Sequence, residues 1–133
     1  MNVAMIMREQ AVDSLQSDVL DGLIAGHFDR AFLFFNMFVD DPRNCLDLSE
    51  AVFRTLNGRG AATEHDFYRE VVDCVRALPE RNEIVPGIPS DSVLCWLLKD
   101  SAALAYHEIG TVMAMEREQV QQRIADVRMA LLG

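Results

Sequence analysis

Apolar side chains recur at helical spacing along nearly the whole chain, and glycine and proline set the places where that spacing stops. Val12, Leu15, Val19 and Leu23 fall on one stripe of a first helix, which Gly26 is expected to interrupt. "HFDRAFLFFNMFV" makes a second helix, closed by Asp40-Asp41-Pro42. Asp41 is a good cap and Pro42 a good first-turn residue for a third, with Leu48, Val52, Phe53 and Leu56 inward. "NGRGAAT" breaks the chain at Gly58 and Gly60. Thr63, with Glu64 and Asp66 behind it, then caps a fourth helix carrying Phe67, Val71, Val75 and Leu78. Pro79, Pro86 and Pro89 lie in the stretch from Pro79 to Ser92, so no helix can run through it. A fifth helix begins at "VLCWLLKD" after Asp91 and Ser92. Tyr106 to Met113 and Glu116 to Leu131 form the last two around an Ala114-Met115 turn, with Ile109, Met113, Val120, Ile124, Val127 and Leu131 inward. Nothing reads as a strand pair with turn chemistry. The expected fold is all-α, with a four-helix N-terminal part (1–78), a proline-rich linker (79–92) and a three-helix C-terminal part (93–133).

A length of 133 residues suits one domain or two very small ones. The formal charge of −9, with Lys99 the only lysine, argues against a nucleic-acid binder that works alone, because phosphates are held mainly by Lys and Arg. Cys45, Cys74 and Cys95 are odd in number, far apart and set among apolar neighbours, which points to buried free thiols in a reducing compartment. His27, His65 and His107 are isolated from them and from each other, so no metal set is expected. "MNVAMIM" is too short and lacks the basic start of a secretion signal, and no run approaches a membrane span. A cytoplasmic protein is expected. No phosphate loop, nucleophile motif or Glu-x-x-His set occurs, and Asp40-Asp41 and Asp47-Glu50 are more simply caps and solvated faces than an acid/base pair. Neither catalysis nor a cofactor is expected.

A short helix, a tight turn and a longer second helix is the arrangement of DNA-binding helix-turn-helix modules, and also of plain helical hairpins. The wording bears on that choice. "LLKDSAALAYHEIGTVMAMEREQVQQRIADVRMALL" resembles the promoter −35-reading region of bacterial sigma-70 family factors of the extracytoplasmic-function (ECF) type, at Lys99-Asp100, Leu104, Tyr106, Glu108, Ile109, Val120, Arg123, Arg128, Ala130 and Leu131. Upstream, "MFVDDPRNCLDLSEAVFRTL" is similar to the segment of that family that grips the polymerase clamp, at Asp41, Pro42, Asp47, Leu48, Val52 and Phe53, with Glu50 near the usual Gln. The resemblance implies a region 2-like part and a region 4-like part. It also implies two kinds of partner, the RNA polymerase core and an anti-sigma factor. The clamp-like contact would use Asp47, Leu48, Glu50 and Phe53, and a −35 element would be met by Arg117, Gln119, Gln121, Gln122 and Arg123.

The departures from that pattern are electrostatic. The family's recognition-helix Lys and the Thr before it are Gln121 and Gln119 here, and its turn Gly is Ala114. From Leu104 onward Arg117, Arg123 and Arg128 face four carboxylates, Glu108, Glu116, Glu118 and Asp126. Gln and Arg can read base edges, but the phosphate anchoring that supplies most of the affinity is thin. In "DFYREVVDCVRALPERNE", Arg69, Arg76 and Arg81 alternate with Glu70, Asp73, Glu80 and Glu83, where the family carries a run of basic residues. "AFLFFNMFV" is apolar on two neighbouring faces. Either it is a central helix wrapped on all sides, or Phe34, Met37 and Phe38 form a partner-binding surface.

The leading expectation is a sigma-factor-like transcription regulator that works mainly through protein contacts, with promoter DNA bound only together with polymerase. A genuine minimal ECF-type sigma factor is the second. An unrelated helical interaction module or homodimer using the Phe34/Phe38 face is the third.

Overall fold

The computed structural model describes the backbone of residues 14–60 and 63–133, and the side chains from residue 26 onward within them. Among the described residues there are six helices and no strand: α1 Ser14–Phe38, α2 Pro42–Arg59, α3 Glu64–Ala77, α4 Ser90–Asp100, α5 Tyr106–Met113 and α6 Arg117–Leu132. None is long and apolar enough to cross a membrane. Val12, and the side chains of Leu15, Val19 and Leu23, lie outside the described residues.

The first two expected helices are one. α1 runs for 25 residues straight through Gly26. A lone interior glycine costs about 1 kcal/mol relative to alanine. Downstream, Ala31, Phe34, Phe35 and Phe38 are all buried, and each Phe contributes about 1.5–3 kcal/mol by leaving water. Packing outweighs the local weakness.

The caps follow the sequence more closely. The Asp41 carboxylate accepts the Arg43 N–H at 2.9 Å, with Pro42 in the first turn of α2. Gly60 closes that helix in the left-handed region, at φ 70°. Thr63 and Asp66 form a reciprocal capping box: the Thr63 hydroxyl accepts the Asp66 N–H, and the Asp66 carboxylate accepts the Thr63 N–H. Leu78, held extended before Pro79, ends α3. α4 begins slightly earlier than expected, because the extended Pro89 presents its carbonyl to the N–H groups of Ser92 and Val93. Ser92 therefore sits inside the helix and is buried.

α1, α2 and α3 pack around Phe35, Phe38, Phe53, Phe67 and Tyr68, and α4, α5 and α6 around Leu94, Leu98, Ile109, Met113, Ile124 and Val127. α3 lies against α5, and the buried residues of both groups belong to one continuous core. Arg123 bonds to Ser92 near the start of α4, and Arg128 to Asp100 at its end, so the two helices run alongside in the same sense. α6 then outruns α4. Leu131, expected inward, is 55% exposed for that reason, with Met129 and Leu132 exposed beside it.

The α5–α6 turn holds one residue in a strained conformation. Ala114 adopts φ 57°, ψ 49°, a left-handed conformation that costs an L-residue about 1–2 kcal/mol. Ala114→Gly should therefore raise stability by about 0.5–1 kcal/mol, after allowing for the greater freedom of glycine in the unfolded chain. An unchanged or lowered denaturation midpoint would show that the turn carries no such strain.

Candidate functional site

Two regions collect the residues the sequence singles out: the face around the start of α2, and the α5–turn–α6 unit. The proposed clamp-like set divides. Asp47 and Glu50 are exposed and Leu48 is half-buried, but Phe53 is only 5% exposed. Its ring stacks on Phe28 at 5.8 Å and on Phe67 at 5.5 Å, so it is part of the core and offers little to a partner.

Asp47 and Leu48 open onto a groove of about 820 Å³. Val39, Leu48, Ala51 and Leu78 give it an apolar floor, and Asp40, Asp41, Asp47 and Glu80 carry carboxylates around it, against one cation, Arg81. Its far wall is the segment from Leu78 to Asn82. Asn82 fixes that wall: its backbone N–H donates to the Phe38 carbonyl at 2.9 Å, and its side-chain amide to Asp40 at 2.7 Å. The linker is thus tied to the open C-terminus of α1, where helix carbonyls lack partners. Sequence reading misses this wall, because no local signal relates Asn82 to Phe38 and Asp40.

The Phe34, Met37 and Phe38 surface is corrected. Phe34 and Phe38 are 3% and 1% exposed, and Met37 is half-buried against the core. Phe34 packs against the Tyr68 ring, and Phe38 underlies the groove. α1 carries two apolar faces because α2 and α3 both lean on it. The exposed apolar side chain on this part of the helix is Leu33.

In the C-terminal unit, Gly110 lets the turn close over α5. A Cβ at that position would lie 2.7 Å from the Met115 carbonyl oxygen. Of the five candidate DNA-reading side chains, three are held within the chain. Gln119 accepts the Glu116 N–H at 3.1 Å, Gln122 donates to Asp126 at 2.8 Å, and Arg123 donates to the Ser92 hydroxyl at 3.3 Å. Those three line a dimple of about 210 Å³ with Pro89, Ser92 and Asp126. Arg117, Gln119, Gln121 and Gln122 are exposed and Arg123 is half-buried. Arg128, the next cation along α6, pairs with Asp100 at 2.9 Å.

The arginines of α3 are also bonded within the chain, Arg69 at the surface and Arg76 half-buried. Arg69 donates to the Thr111 carbonyl at 3.1 Å. Arg76 donates to both oxygens of Asp91, at 3.0 and 3.3 Å, and to the Met113 carbonyl at 3.2 Å. On the same stripe His65 meets Glu108 at 2.8 Å. The Ala105 N–H, followed by His65, holds the Glu108 carboxyl below its ordinary range. Residues 65, 69, 72 and 76 share one face of α3 at helical spacing, and three of them make polar contacts to α5. Val72 is their buried apolar member.

Thiol chemistry is suppressed. Burial, with Glu70 behind it, pushes the Cys74 thiol up to about 12, and burial, with Asp91 behind it, pushes Cys95 up to about 11. Cys45 is also raised by burial, and its side chain is shielded from solvent. At a given pH near neutrality Cys74 should show about a thousandfold less thiolate than an ordinary cysteine. A thiol reagent such as Ellman's should label the native protein slowly and all three cysteines at once on unfolding. Rapid native labelling of Cys74 would contradict this. Among the described residues no group of three or more His, Cys, Asp or Glu side chains could hold a metal ion.

Comparison with family models, curated proteins and solved structures finds no match to this chain.

Proposed function

We propose that this chain is a sigma-factor-like transcription regulator that works mainly through protein contacts, with an anti-sigma factor or the RNA polymerase core as partner and weak or no DNA binding of its own. One observation carries the reading. Four of the cations that a DNA-binding version of the pattern would present are already bonded within the chain: Arg69 to α5, Arg76 to α5 and the start of α4, and Arg123 and Arg128 to α4. A guanidinium already bonded to a carboxylate or carbonyl must break that contact before it can neutralise a phosphate, so little counterion-release free energy is left to drive binding. The open groove around Asp47 and Leu48 stays available to a protein.

A genuine minimal sigma factor remains the second reading, favoured by exposed Arg117 and Gln121 on α6 and by the tight α5–α6 turn. Fluorescence anisotropy with labelled promoter duplex, at physiological salt, separates the two. The isolated chain is expected to bind no more tightly than the micromolar range or weaker typical of non-specific contacts. Reversing Arg117 or Arg123 to Glu should leave regulation nearly intact, whereas it should abolish promoter activity in a true sigma factor; the exposed Arg117 serves as the fold-neutral member of the pair. Affinity purification from the host should return a small regulatory protein or polymerase subunits. Nanomolar, sequence-selective binding of the isolated chain to duplex would overturn the proposal.

A further inference from the structure

We propose that the groove between the start of α2 and the Leu78–Asn82 segment takes a cationic amphipathic helix of a protein partner. The inference rests on the protein-contact reading above and gives that contact its chemistry. Leu48 and Ala51, three residues apart on α2, form a low apolar ridge, with Val39 and Leu78 beside it. A ridge of this spacing is what the apolar face of another helix packs into. The charge around it has one sign. Four carboxylates face one arginine, and two of the four are already engaged within the chain, Asp41 as the cap of α2 and Asp40 as acceptor from Asn82. Asp47 and Glu80 are exposed on opposite walls, one on α2 and one on the linker, placed to receive basic side chains flanking an apolar stripe. An acidic rim over an apolar floor repels phosphate polymers and steers cationic partners toward itself.

A second groove of about 610 Å³ shares the Pro79–Asn82 wall and adds Glu83, Ile84 and Ile88. That groove is the more polar of the two, so the apolar contact of the partner helix is confined to the first. The outer face of α2 is not part of it, since Phe53 is buried in the core and Glu50 does not line either groove.

The test uses the full chain, ¹⁵N-labelled, titrated with two synthetic peptides of equal length, one leucine/lysine amphipathic and the other leucine/glutamate. The lysine peptide should move amide signals of residues 38–51 and 78–84, and the glutamate peptide should move none of them. Reversing Asp47 and Glu80 together to Lys should weaken the lysine peptide about tenfold and flatten its salt dependence. The matched reversal of Glu116 and Glu118, at the cap and in the first turn of α6, changes the net charge equally and should weaken it much less. Leu48→Ser, which leaves charge untouched, should weaken it by about fivefold or more. Thermal melts of each variant establish that it is folded. Equal losses for the two charge pairs, shift changes centred elsewhere, or an unaffected Leu48→Ser variant would each overturn the assignment. The two proposals fail separately. If the Asp47/Glu80 variant still retains the partner purified from the host, the groove assignment falls while the protein-contact reading stands. If the wild-type chain retains no protein partner and the lysine peptide still maps to the groove, that reading falls and the groove chemistry stands.

Discussion

Gly110→Ala is expected to lower the stability of the protein by about 2 kcal/mol. In a helix interior the substitution should by itself help by about 1 kcal/mol, since alanine is the better helix former. Here the added Cβ would sit 2.7 Å from the Met115 carbonyl oxygen, closer than such atoms approach. That oxygen belongs to backbone and has little room to retreat. The Met115 N–H is bonded to the Gly110 carbonyl at 2.9 Å, and the residue before it, Ala114, already occupies the left-handed region. Relief requires the α5–α6 turn to open, and overpacking of that kind costs about 1–3 kcal/mol or more. Chemical denaturation should show a lower midpoint with an unchanged slope, and Gly110→Val should be worse. A neutral or stabilising Gly110→Ala would mean that the turn is looser than its geometry indicates. Because Gly110 lies on the buried side of α5, the substitution changes the joint between α5 and α6 without touching an exposed side chain.

Removal of the Arg76 side chain should cost about 2 kcal/mol. Its guanidinium joins three elements at once. It makes a two-pronged bond to Asp91 in the first turn of α4, and it donates to the Met113 carbonyl at the end of α5. Hydrogen bonds to charged groups contribute about 1.5–3 kcal/mol each when shielded, but Arg76 and Asp91 are about one-third exposed, so solvent screening reduces the sum. Arg76→Ala also leaves the Asp91 carboxylate without its cation. Arg76→Lys should recover only part of the loss, since an ammonium cannot reproduce the planar fork. A double-mutant cycle with Asp91→Asn should return a coupling of about 1 kcal/mol. Additive losses would show that the pair is incidental.

These expectations share one structural cause. The arginines that the sequence pattern places on would-be DNA-facing helices lie instead at the seam where α3 meets α5 and α4 meets α6. A short polar stripe, His65, Arg69 and Arg76 around Val72, holds that seam on the α3 side. The closed arrangement and the acidic surface act together. One ties several cations to partners within the chain, and the other leaves carboxylates around a groove with an apolar floor.

Helical spacing, capping residues and breakers were enough to give an all-helical chain and most of its boundaries, because each acts within a few residues. Asp41, Pro42, Thr63 and Asp66 cap through neighbouring backbone N–H groups, and Pro79 excludes helix by its own ring. Tyr106 to Met113 is a helix as its apolar pattern requires. What depended on distant partners was not written locally. Gly26 looks like a break until the burial of Phe34, Phe35 and Phe38 against α2 and α3 is counted. Leu131 continues an inward stripe that ends only because α4 is shorter than α6. The doubly apolar α1 could be a surface or a centre, and only its neighbours decide that it is a centre. Charge shows the same division. The sequence determined how many cations the chain has and on which helices they lie. Their partners, Asp91, Asp100, Ser92 and the carbonyls of α5, were decided by tertiary packing, since a long side chain with several rotatable bonds takes the partner that the fold brings within reach.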